Sequence, residues 1–192
     1  MSAQGWVETV VTAQGAGTAL NSFTTAVSAL PTAARWKLPA GSINVGDMLK
    51  VEFAGQISNV VTAQPTFTFQ FMLGPTSNII AFTTGSVTCS TTAHTSVPVM
   101  GEFTLTCRSV GSGTAATLMG QGRLFSQAFV ASGATADGAA THTMLMAPNT
   151  TPAVGTGFDS TVDNWADLWV ACGTSNAGNA FTLHQYALMV MN

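Results

Sequence analysis

Three of the chain's five aspartates, Asp159, Asp163 and Asp167, fall four residues apart in the stretch "TGFDSTVDNWADLWV" (156–170). Clustered carboxylates can hold a calcium ion, or serve as the acid and base of a glycoside hydrolase. On a helix the three would line one face and repel one another, and no Lys or Arg in the stretch would relieve them. Gly157, Thr161 and Val162 also make the stretch a poor helix. Read as a loop entering a strand, it places Asp159 and Asp163 in the connection and Asp167 on the strand. Asp159 then suits an Asx turn, accepting a backbone N–H two residues on. The alternating Asp/Asn pattern and closing Glu of a calcium loop are missing, which leaves Asp159 and Asp163 as metal candidates without a motif.

The other chemistry-bearing residues are scattered. His94, His142 and His184 follow no ligand spacing. His184, in the last apolar run, becomes a metal candidate only if three copies bring it together on an axis; the simpler expectation is a hydrogen-bonded strand histidine. Cys89, Cys107 and Cys172 lack CxxC spacing and read as buried small hydrophobes; a Cys89–Cys107 pair would require neighbouring strands to align them. "GSGTAATLMG" begins like a dinucleotide loop, but Ala116 stands where the third glycine belongs. No Walker, HExxH or GxSxG motif occurs. The sequence therefore predicts no catalytic residues, no cofactor and no enzyme activity. Trp6, Trp36, Trp165 and Trp169 are the candidate contact residues. If Leu168 and Val170 point inward, Trp165 and Trp169 face outward toward a sister subunit, a larger assembly or a sugar ring.

The elements that must position these residues are strands. In "MLKVEFAGQIS" Leu49, Val51, Phe53 and Ile57 share one face; in "TFTFQFML" Phe67, Phe69, Phe71 and Leu73 do; in "EFTLTCRS" Phe103, Leu105 and Cys107 do. Further strands are expected over 6–13, 33–38, 79–84, 116–130, 140–147, 164–172 and 180–191, separated by Gly, Pro, Asn and Ser clusters. Asp137-Gly138 and the Asn176–Asn179 segment read as hairpin turns, and only residues 18–30 could turn helically. The expected fold is all-β, an antiparallel β-sandwich of the jelly-roll kind with about 9–11 strands. Residues 1–30 read as an N-terminal strand or arm suited to an assembly contact, and 31–192 as a single sandwich domain.

Composition narrows the function. Charged residues make up 7% of the 192, against about 25% in an ordinary soluble domain. Five basic residues and a net charge of −3 give no footprint for nucleic acid. No apolar run is long enough to span a membrane, and no charged n-region supports a signal peptide, so residence in the producing cell's cytoplasm is expected. Strand edges carrying so few charges lack the usual guard against edge-to-edge pairing, which predicts a homo-oligomer.

"LPAGSINVGDMLKVEFAGQISNVVTAQPTFTFQFMLG" (38–74), "TLTCRSVGSGTAATLMGQGRL" (104–124), "GTGFDST" (155–161) and "LHQYAL" (183–188) resemble a family of tailed-bacteriophage structural proteins. The resemblance implies a virion component, foremost a trimeric capsid decoration (cement) protein whose partners are its own copies and the major capsid protein. A head-fibre or tail component, or a carbohydrate- or host-receptor-binding module, is the alternative.

Overall fold

The computed structural model describes residues 7–13, 15–130 and 143–191. Trp6, His142 and the Asp137-Gly138 turn lie outside the described residues. The chain opens with Val7–Thr12 (β1), Leu20–Asn21 (β2), Val27–Ser28 (β3), Trp36–Leu38 (β4), Met48–Asn59 (β5) and Thr66–Leu73 (β6). It continues with Ile79–Thr83 (β7), Val87–Thr88 (β8), His94–Ser109 (β9), Thr117–Ser126 (β10), Thr143–Ala147 (β11), Asn164–Cys172 (β12) and Ala180–Met191 (β13). Among the described residues the only helical pieces are single 3-10 turns at Thr32–Ala34 and Val61–Ala63.

All strand pairs are antiparallel, and they form two sheets. The larger sheet runs β1-β13-β5-β9-β10-β11, with β2 also on β13; the smaller runs β3-β12-β6-β7, with β4 on β12 and β8 on β6. In each sheet a late strand returns beside an early long one, β13 beside β5 and β12 beside β6. That is the Greek-key relation on which jelly rolls are built. The all-β antiparallel sandwich expected from the alternation is what forms. Among the described residues thirteen strands appear rather than nine to eleven because β2, β3 and β8 are two-residue pieces.

Three local expectations are corrected. Residues 18–30 form β2 and β3 instead of a helix, as their Thr, Ser and Val content favours extended backbone. The strand read as beginning at Glu102 begins at His94, so its first half was missed. That half holds Pro98 and Ser96 at φ 52°, which interrupt the alternation without ending the pairing with β5. The Asn176–Asn179 turn exists, closed by Asn179 N–H donating to Asn176 O at 3.0 Å, but it joins strands of different sheets and makes no hairpin. The N-terminal segment is woven into both sheets through β1, β2 and β3, and Ala29 and Leu30 lie in the core.

Phenylalanines from the two sheets interdigitate between them. Phe53 and Phe103 come from the larger sheet and Phe69 and Phe82 from the smaller, with ring centroids 5.2 Å apart for Phe53–Phe69 and 5.0 Å for Phe82–Phe103. Such pairs add about 0.5–1.5 kcal/mol each beyond the area they bury. The rings fit because inward positions opposite them are glycine. A Cβ on Gly101 would stand 2.2 Å from Phe53 Cε1, and one on Gly120 would stand 2.3 Å from Phe82 Cδ2. Gly101→Val should therefore cost about 1–3 kcal/mol by overpacking. Urea unfolding is expected to show that loss, and to show part of it recovered when Phe53→Leu shares the chain. Simple additivity of the two changes would mean that the ring is not the obstacle.

Candidate functional site

The aspartate stretch forms a corner that leads into β12, and each carboxylate braces a different part of the fold. Asp159 accepts the backbone N–H of Thr161 at 2.8 Å and the Thr161 hydroxyl at 2.6 Å, the Asx turn read from the sequence. Its other oxygen accepts Gly113 N–H at 2.8 Å and so holds the β9–β10 turn. Asp163 accepts Ala40 N–H at 2.9 Å and faces Lys37 Nζ at 2.6 Å. The Thr161 hydroxyl and these N–H donors hold the Asp159 carboxyl below its usual range; the Lys37 ammonium and Ala40 N–H do the same for Asp163.

Asp167 is different in kind: it is fully buried, with 0% exposure. Ser28 Oγ donates to one oxygen at 2.8 Å, and Trp169 Nε1 donates to the other at 2.8 Å. Arg35 Nε faces that second oxygen at 3.1 Å, an ionic contact without hydrogen-bond alignment. Burial pushes the Asp167 carboxyl up, against the lowering by Ser28, Trp169 and Arg35. The sequence offered no cation near these aspartates; the fold supplies two. β4 pairs with β12 with Trp36 opposite Ala166 and Lys37 opposite Trp165, which puts Arg35 one step further, opposite Asp167. Asp163 then sits on the diagonal from Lys37. Burial also drives the Tyr186 hydroxyl up, with the Asp167 charge adding to the effect, and its oxygen has no hydrogen-bond partner among the described residues.

The strand alternation places the tryptophans as expected from inward-pointing Leu168 and Val170. Trp165 is 38% exposed, with Lys37 Nζ 5.9 Å above its ring. Trp169 is half-buried and committed to Asp167, and Trp36 packs against the core. His184 is exposed at a β-bulge, where Leu183 pairs with Gly55 and Gln185 with Ala54, leaving it without an opposite residue. His94 Nδ1 lies 3.1 Å from Asn59 Oδ1. Among the described residues, no three His, Cys, Asp or Glu side chains gather as metal ligands, and His184, Asp159 and Asp163 are not brought together. The three cysteines are buried thiols; Cys89 and Cys107 do not pair.

A second surface, which the sequence reading did not single out, is the outer face of the larger sheet. Its central cross-strand row is Ala187, Glu52, Glu102, Arg123 and Met146. Glu102 accepts from Arg123 at 2.8 Å and faces Lys50 Nζ at 3.3 Å, while Lys50 reaches Glu52 at 2.6 Å. Two cations and two anions thus close a neutral network. Arg123 also lies over the Phe125 ring, 5.6 Å from its centroid. A shallow depression of about 680 Å³ runs over this network between Gln185 and Phe125. Its signal in the sequence was the set of outward charges at Lys50, Glu52, Glu102 and Arg123, in strands whose only other Lys, Arg, Asp or Glu is Arg108.

No family model matches the chain, and no curated protein matches it. Among solved structures it is similar to the CBM2 module of the evolved Dit of Lactobacillus casei BL23 phage J-1, with a TM-score of 0.37 and 11% identity over 99% of this chain and 98% of that chain. No helix among the described residues is long and apolar enough to cross a membrane.

The braces differ in cost and in pH dependence. Asp167→Ala strands the Trp169 and Ser28 donors and an Arg35 that still reaches solvent, and should lose about 3 kcal/mol by urea unfolding. Asp167→Asn, which keeps an acceptor and buries no charge, should lose less; equal losses would show that the ion pair governs the site. Asp159 has a folded pKa below its ordinary 3.8, so its contribution is present above that value and lost as pH falls through the folded pKa. The Asp167 contribution has the opposite sign, since a raised carboxyl takes its proton first in the folded chain and is destabilising once ionised. Unfolding free energies measured between about pH 3 and 6 should accordingly show a shallower acid loss in Asp159→Asn than in the parent chain.

Proposed function

We propose that the chain is a non-enzymatic structural protein of a tailed-phage virion: a homotrimeric capsid decoration protein that bridges capsomers and stabilises the shell. The observation that carries this reading is the outer face of the larger sheet, a broad open surface on which four charges neutralise one another. Such a face can be covered by protein without burying an unpaired ion, the usual penalty for a charged interface. The strings that resemble tailed-phage structural proteins support the virion setting. Three linked copies would engage the major capsid protein cooperatively, because the second and third contacts form at high effective concentration. Bridging neighbouring capsomers then raises the barrier to opening when packaged DNA pushes outward.

A second reading rests on Trp165, whose exposed ring beside Lys37 and Asp163 resembles a stacking platform for a sugar, as in a receptor-binding, tail or head-fibre module. The two separate experimentally. Purified protein mixed with undecorated shells from a phage that encodes it should co-sediment with them and raise the temperature at which they release DNA. Protein that stays in the supernatant yet binds glycans, and loses that binding in Trp165→Ala, would select the second reading.

A further inference from the structure

The outer face of the smaller sheet sets one fixed aromatic ring among uncharged hydrogen-bonding side chains. Along β12 its outward positions are Trp165, Asp167, Trp169 and Ala171, and along β6 they are Met72, Gln70, Thr68 and Thr66. Trp169 stands between Ser28 on β3 and Gln70 on β6, with Thr83 of β7 beyond, while Ala171 stands against Thr68. Beyond the ring the outward side of β12 carries only Ala171 and Gly173. The face therefore steps down from Trp169 onto a shelf floored by Ala171, Thr68 and Thr66. The step is held in place: Trp169 Nε1 donates to Asp167 at 2.8 Å, and Asp167 accepts Ser28 Oγ at 2.8 Å on its other oxygen. A half-buried ring tied to a buried carboxylate keeps one orientation, so a ligand meets it preorganised. Gln70, Thr68, Thr66 and Thr88, which pairs with Thr66, are half-buried and make no side-chain hydrogen bond among the described residues. Their amide and hydroxyls are donors and acceptors at once.

We propose that this shelf binds a neutral polysaccharide, one sugar ring packing against Trp169 while its hydroxyls bond to Gln70, Thr68 and Thr66. Charge selects that occupant. No Lys, Arg, Asp or Glu stands at the shelf positions, Asp167 is buried, and Arg35 approaches it from the β4 side. A charged ligand would lose hydration there without gaining a counter-ion. Composition argues against a protein partner, whose contact needs an apolar centre. Of the large exposed hydrophobics only Trp165 belongs to the smaller sheet. One oriented aromatic ring with a few convergent polar groups is the make-up of a small-ligand site. Trp165 and its Lys37–Asp163 pair lie four residues along β12, about 13 Å away, on the side opposite the shelf. The proposal rests on the sugar-binding reading above for its ligand class, but it places the ligand on other residues and suits a seat on capsid or tail alike.

Affinity electrophoresis of the full chain through gels holding dextran, mannan, galactan or anionic alginate tests it, with tryptophan emission read in the same solutions. At least one neutral polymer should retard the chain and shift its emission, and alginate should do neither. Gln70→Ala should weaken that binding about two- to ten-fold, the worth of one hydrogen bond. Thr68→Arg, which fills the shelf, should abolish it, and Trp165→Ala should leave it unchanged. Thermal unfolding checks that each variant is folded; if Thr68→Arg is not, Gln70→Ala with Thr68→Val takes its place. Binding that is lost in Trp165→Ala and kept in the shelf variants overturns the shelf and leaves the Trp165 reading standing. Retardation by alginate, alone or beside the neutral polymers, overturns the neutral class. A chain that none of the four polymers retards overturns the proposal, whatever its behaviour with shells.

Discussion

The sandwich rests on how closely two sheets can approach across a layer of phenylalanine. Rings from both sides occupy the same depth, and they do so only because Gly101 and Gly120 present no side chain at the inward positions they face. Removing volume at those positions and adding it as rings elsewhere keeps the interior dense while locking the sheets in one registration. Everything outside the layer inherits that registration. The position of β12 against β6 fixes where Arg35 and Lys37 meet their aspartates, and the position of β5 against β9 fixes the outer charge network.

With so little charge, the chain places eight of its thirteen charged side chains in ties between segments distant in sequence. Four of the five basic side chains, Arg35, Lys37, Lys50 and Arg123, stand in ion pairs. Buried amides extend the same economy: Asn59 donates to Ser90 O and Thr92 O at 2.9 Å each, and Asn164 donates to Asp159 O at 2.7 Å and Val162 O at 2.8 Å. Loops that would otherwise carry unpaired carbonyls are thereby held against the sandwich. The aspartate corner belongs to this system of ties.

Much of the fold was legible because alternation reports which face of a strand is buried. The strands expected over 164–172 and 180–191 have those bounds, and the inward set Leu49, Val51 and Phe53 is buried as read. Alternation does not report which strand lies alongside. The pairing of β4 with β12 joins residues more than a hundred positions apart, so neither the Lys37–Asp163 pair nor the burial of Asp167 could be read locally. The methionines on the outer face of the larger sheet were hidden for the same reason. Met144 and Met146, or Met189 and Met191, look unremarkable two apart in one strand; they become a surface only when five strands set them side by side. Where the alternation itself was broken, at Pro98 and Ser96, the strand was missed although its pairing is continuous with the rest.

The place of β13 has a consequence in time. It comes late in the chain, yet it lies between β1 and β5, two of the earlier strands. A ribosome that has not yet passed Ala180 holds a polypeptide whose larger sheet is missing an interior strand, with the long edge of β5 open along its whole length. Synthesis at about 5–20 residues per second makes that interval brief for one chain. In a cell making many copies at once, neighbouring nascent chains would each carry the same uncovered edge, and the sparse Lys content offers little to keep them apart.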